Sequence, residues 1–73
     1  MQIYFTRHAK NRMRWRKITL QEVHTVLNNF DKKEQLTNYK YHLYKSINNR
    51  LLRVTISEEQ DKLVILSIVD KHD

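Results

Sequence analysis

The chain has no cysteine, no glycine and no proline in its 73 residues. Without cysteine there is neither a disulfide framework nor a thiolate-bound zinc, so the fold must rest on its hydrophobic core. The lack of glycine excludes phosphate-gripping glycine loops, and turns have to be read from Asn, Asp and Ser instead. Acidic residues are missing from the first quarter: Glu22 is the first, and Arg7, Lys10, Arg12, Arg14, Arg16 and Lys17 all precede it. No apolar run nears the roughly 18 residues that span a bilayer, and Met1 to Phe5 is too short and wrongly flanked for a signal peptide. A cytoplasmic protein with no membrane partner is expected.

What the chain does have is positive charge. Fourteen Lys and Arg against eight Asp and Glu leave a formal charge of +6. On so small a surface that field attracts polyanions, which makes nucleic acid, RNA or DNA, the default partner ahead of a membrane surface or an acidic protein. One domain is all this length allows, and a domain of this size buries only about 60% of its unfolded surface.

Gln2 to Phe5 reads as a short strand. Thr6 follows as N-cap of a helix running to about Trp15, and Thr19 caps a second helix, with Glu22 three residues on completing a capping box. Leu20, Val23, Leu27 and Phe30 recur at helical spacing through that second segment, which should end near Asn28-Asn29. From Glu34 the period becomes alternating and the residues turn to Tyr, Leu, Val, Ile and Thr, so the C-terminal half is predicted to be sheet. Asn48-Asn49, flanked by Ile47 and Arg50, suits a two-residue hairpin turn, because Asn tolerates the left-handed conformation that type I′ demands. After a polar turn at Glu58–Asp61, the run Leu63-Val64-Ile65-Leu66 is apolar on both faces and reads as an interior strand. The expected order is β-α-α-β-β-β, an α+β fold, with room for a short extra strand near Gln35–Thr37.

The hairpin sets the register. Leu43 should face Val54 and Tyr41 should face Ile56 on the core side, while Tyr44 faces Arg53 and His42 faces Thr55 on the other. Phe5, Ala9, Met13, Leu20, Val23 and Leu27 are then available to cover the aliphatic face, which leaves His42, Tyr44 and Arg53 together on an open one. A second cluster stands on the first helix, where His8 and Arg12 are four apart and Trp15 extends their stripe.

Metal-free RNA cleavage needs a base for the 2′-hydroxyl, a proton donor for the leaving oxygen and cations for the phosphate. His8, Arg12, His42, Tyr44 and Arg53 could supply these, with Arg7, Lys10, Arg14, Trp15, Arg16, Lys17 and Lys45 as RNA contacts. Each cluster also has a plainer reading: a solvated helix face with Trp15 at the core edge, and ordinary cross-strand packing. Tyr39 and Tyr41 alternate onto the core side, leaving Tyr44 to stack. His24 reads as a boundary residue and His72 as part of a short tail. No metal-ligand spacing or carboxylate cluster is visible, so neither a metal nor another cofactor is expected.

Phe5-Thr6-Arg7-His8-Ala9, Arg12-Met13, Ile18-Thr19, Glu22-Val23 and Arg50-Leu51-Leu52-Arg53-Val54 together resemble the small domain-of-unknown-function family numbered 4258. That family is similar to the RelE and BrnT toxins, ribonucleases silenced by antitoxins. The resemblance implies a RelE-like fold with two N-terminal helices on one face of a small antiparallel sheet. It implies toxin-type RNA cleavage, with His8 and Arg12 as a polar pair and Arg53 at the scissile phosphate. An acidic antitoxin and the ribosome come with it as further partners. BrnT-like proteins close on a Ser-Ala-Arg segment, whereas this chain runs Leu66-Ser67-Ile68-Val69-Asp70 and lacks that cation. The alternative is a non-catalytic RNA-binding or protein-interaction module on the same fold.

Overall fold

The computed structural model describes residues 2–71, so His72 lies outside the described residues. Strand β1 (Gln2–Phe5) leads into helices α1 (Arg7–Arg16) and α2 (Leu20–Asn28), followed by β2 (Lys32–Gln35), β3 (Lys40–Ile47), β4 (Arg50–Glu59) and β5 (Lys62–Asp70). They form one five-stranded sheet in the order β1-β5-β4-β3-β2. Two features correct the sequence expectation. The sheet is mixed, because β1 runs parallel to β5. A fifth strand, β2, pairs antiparallel with β3 and lies earlier than the extra strand suspected near Gln35–Thr37. Its residues, Lys-Lys-Glu-Gln, are all exposed and show no apolar alternation. Lysines on an edge strand also discourage pairing with another chain.

Both helix starts follow from local chemistry. Thr6 Oγ1 accepts the Ala9 amide at 3.1 Å, and the same hydroxyl donates to the Leu66 carbonyl at 3.0 Å, tying the helix cap to β5. At Thr19 the capping box is complete, with the Glu22 amide 3.1 Å from the Thr19 hydroxyl and the Thr19 amide 2.9 Å from the Glu22 carboxylate. α1 ends on Lys17 at φ 54, where the Ile18 amide reaches back to the Met13 carbonyl. Lys17, Asn48, Asn49 and Gln60 all hold positive φ, the conformation glycine would otherwise supply.

The hairpin register is the expected one: Ile47 pairs with Arg50, Leu43 with Val54, Tyr41 with Ile56, Tyr44 with Arg53 and His42 with Thr55. Against β5 the register slips by a bulge at Thr55/Ile56, leaving Leu66 unpaired between Ile65 and Ser67. That single extra residue lets Ile65 and Ile68, three apart, both point into the core, and both are fully buried.

The core joins Ala9, Ile18, Val23 and Val26 from the helical segment to Leu43, Leu52, Val54, Ile56, Ile65 and Ile68 of the sheet. Phe5, Met13 and Leu27 pack against its margin. Leu20, expected in the core, is half exposed, as is Phe30, which lies beyond the end of α2. Ile18, in the turn before α2, is buried in their place. Tyr39 precedes β3 and is exposed rather than core-facing.

Glu22 does more than cap α2. Its carboxylate accepts from Asn48 Nδ2 at 3.2 Å and lies 3.9 Å from Arg50, which in turn donates to the Lys17 carbonyl at 3.3 Å. The interhelical turn is thereby pinned to the hairpin tip. The Thr19 amide, ahead of Asn48 and Arg50, holds the Glu22 carboxyl below its ordinary value of 4.5. A depressed carboxyl stabilises the fold above that value and loses its contribution as pH falls through the depressed one. Glu22→Gln should therefore cost about 1 kcal/mol at pH 7, lowering the melting temperature by several degrees. Melts at pH 3 should show the two proteins converging; an equal gap at both pH values would contradict the charge-based clamp.

Candidate nucleic-acid interface

Both helices lie on one face of the sheet, sharing the core cluster. The other face carries no covering element among the described residues. Alternation and register assemble its side chains in rows across the strands. Lys32, Tyr44, Arg53 and Val69 form one row, and Glu34, His42, Thr55 and Ser67 form the next. A further row brings Lys40, Ser57 and Val64 to Tyr4 of β1.

His42 is half-buried in the middle of this face. Its Nδ1 is 2.9 Å from the Thr55 hydroxyl, and its ring meets Tyr44 edge-on with centroids 6.1 Å apart. In the tautomer whose Nδ1–H donates to Thr55, Nε2 presents its lone pair outward. Tyr44 is itself held, since its hydroxyl donates to Glu34 at 2.9 Å and Lys32 Nζ lies 5.2 Å from the ring centre. Arg53, opposite Tyr44, is also half-buried. Its Nε is buried without a hydrogen-bond partner among the described residues.

Burial pushes the His42 pKa down, the Arg53 and Lys71 charges push it further down, and Glu34 opposes them. The ring is therefore neutral at pH 7. The neutral form is the one favoured by folding, so its contribution to stability is present above the ordinary value of 6.5 and lost as pH falls below it. In an NMR titration, the His42 ring protons should show a midpoint below 6.5, and Arg53→Ala should move that midpoint upward. A midpoint unmoved by the substitution would mean that the two groups do not share a field.

The structure thus brings His42, Tyr44 and Arg53 together and separates them from His8 and Arg12. Those two stand on α1, which packs against β5 and β1 on the helical side. His8 is exposed and Arg12 half-buried, and the sheet lies between them and the trio. Trp15 is 72% exposed and so is not an edge of the core. Arg7, Lys10, Arg14, Arg16 and Lys17 are likewise exposed along or just after α1. Lys45 is not on the open face: it pairs with Leu52 on the core side and its Nζ is 3.2 Å from Asp31.

Spacing overlooked Lys32, Lys71 and Tyr4. Lys32 sits in the strand that lacked an apolar signal. Lys71 directly follows β5 and places a cation close enough to His42 to act on its charge. Tyr4 is half exposed with Lys62 Nζ 4.9 Å from its ring centre, beside a cleft of about 510 Å³ lined by Gln2, Glu59, Gln60 and Asp61. Only knowledge that β1 joins β5 could have placed it here. Among the described residues no three His, Asp or Glu side chains converge, and no helix is long and apolar enough to cross a membrane.

No curated protein and no solved structure matches the chain. A family model does, over residues 5–70, which takes in both helices and all of β2 to β5. The match covers the His8-Ala9, Arg12-Met13 and Glu22-Val23 pairs together with the open-face trio, and on it the chain belongs to the domain-of-unknown-function family DUF4258.

Proposed function

We propose that the open face binds a single RNA strand and cleaves it by acid–base chemistry without a metal. Arg53 carries this reading. A buried donor left unpaired costs about 1–3 kcal/mol, and a phosphate oxygen is a charged acceptor that would satisfy it. In the proposed step His42 Nε2 takes the proton of the 2′-hydroxyl, and O2′ attacks the adjacent phosphorus. The bond from phosphorus to O5′ breaks, and the leaving oxygen is protonated from solvent. The products are a 2′,3′-cyclic phosphate and a 5′-hydroxyl. Arg53, with Lys71, stabilises charge growing on the phosphate, and Tyr44 offers its ring to a base.

This makes the chain a ribonuclease of the toxin–antitoxin type on a RelE-like fold, with an acidic antitoxin and the ribosome as further partners. Support comes from two N-terminal helices packed on one face of the sheet and from the charge of +6. One observation favours the second reading, a non-catalytic RNA-binding module: His8 and Arg12 are divided from the trio by the sheet, so among the described residues a single histidine faces the site.

Mixed RNA incubated with the protein in EDTA discriminates between them. Fragments ending in cyclic phosphate, absent with His42→Ala and Arg53→Ala, are the expected result. Intact RNA retarded on a gel selects the binding module. Intact RNA that is neither cut nor retarded, with or without ribosomes, overturns both.

A further inference from the structure

The sheet's open face is one cationic surface of the molecule, and α1 presents another on the opposite side. Arg7, Lys10 and Arg14 recur at i, i+3 and i+7, so they line one exposed stripe about 10 Å long, while Ala9 and Met13 turn to the core. None of the three has an ion pair or a side-chain hydrogen bond among the described residues. There is no acid within α1 to offset them. Trp15 lies about 100° round the helix from Arg14, on the stripe it shares with His8 and Arg12, and at 72% exposure it is the most exposed of the large apolar side chains described. Leaving an indole in water is unfavourable, and three unpaired cations repel one another; a polyanion with flat unpaired faces relieves both.

Single-stranded RNA meets that description better than a lipid surface. A helix that lies on a membrane turns an apolar stripe outward, whereas here the apolar stripe is spent on the core and Trp15 alone projects. RNA offers phosphates to the guanidinium and ammonium groups and an unpaired base to the indole.

We propose that α1 is a second RNA-contacting surface, with Arg7, Lys10 and Arg14 on phosphates and Trp15 stacked on a base. It is separate from the open face and does not rest on cleavage occurring there. A strand anchored on α1 would hold RNA at the protein while another stretch occupies the sheet.

Trp15 is the chain's single tryptophan, so its fluorescence reports on this surface alone. The probe is a 20-nucleotide unstructured RNA with 2′-O-methyl groups, which cannot be cut. Wild-type emission should be quenched on binding, and Arg53→Ala should leave the quenching intact. The triple variant Arg7→Ala, Lys10→Ala, Arg14→Ala, altered only at exposed positions, should lose quenching. Its salt dependence of binding, on logarithmic axes, should be shallower by about two, from about 0.7 per lost phosphate contact. Unchanged Trp15 emission, or a triple variant quenched like wild type, would overturn the proposal. So would equal quenching by poly-glutamate, which would mark a general polyanion contact. A Trp15 response to phosphatidylserine vesicles with none to RNA would overturn it in favour of a membrane surface.

Discussion

Arg53→Ala should reduce RNA cleavage by about 100- to 1000-fold, the loss seen when one preorganised donor to a developing anion is removed, and should do so in a protein that remains folded. The second half of that expectation comes from the free protein's geometry. Among the described residues the Arg53 Nε has no partner to lose, so truncation breaks no hydrogen bond at that atom and removes a buried unsatisfied donor. What is lost is the packing of the aliphatic stem beside Tyr44 and Val69. Thermal melts alongside the RNA assay separate the two effects. Arg53→Lys keeps the charge and loses the planar fork, so it should recover only part of the activity. Wild-type cleavage by Arg53→Ala would remove the arginine from the site, and an unfolded variant would reassign it to the structure.

The largest effect on stability is expected at Ile56. It is fully buried on β4, between Tyr41 of β3 and Ile65 of β5, in the row where three strands meet beneath the helices. Ile56→Ala deletes buried methyl groups from a site walled by ordered strands on both sides, which typically costs about 2–5 kcal/mol. A domain of this length has only about 4–11 kcal/mol in total. The variant should unfold at a far lower urea concentration than wild type, with a fraction already unfolded at 37 °C. An unchanged urea midpoint would show that the core does not depend on that row.

The parts of this architecture legible in the sequence are those governed by local chemistry. Thr6 and Thr19 announce both helix starts because a cap is a contact between residues three apart. Asn48-Asn49 announces the hairpin because two left-handed positions restrict the choice of residue, and its register then carries His42, Tyr44 and Arg53 to one face. Contacts set by tertiary context were not legible. β2 is a strand because β3 offers it an edge, and nothing in Lys32-Lys33-Glu34-Gln35 favours a pleat over a loop. The parallel pairing of β1 with β5 leaves no periodic trace in either segment. Tyr4 was therefore passed over. Lys45 illustrates the remaining difficulty: its charge suggested RNA, while its parity in β3 turns it to the core side beside Asp31.

That same parallel pairing bears on how the protein is made. β1 is synthesised before every other described element, and its partner is the last described strand, sixty residues later at the Thr6 to Leu66 bond. Closing so long a loop is entropically slow and has to precede the contacts that reward it. Until β5 emerges, β1 has no neighbour, the cap at Thr6 lacks its tie, and α1 lacks the strand it packs against most. At about 5–20 residues per second, translation supplies β5 only after every other element is out. A nascent chain stalled before Lys62 would carry its basic helix without the finished open face.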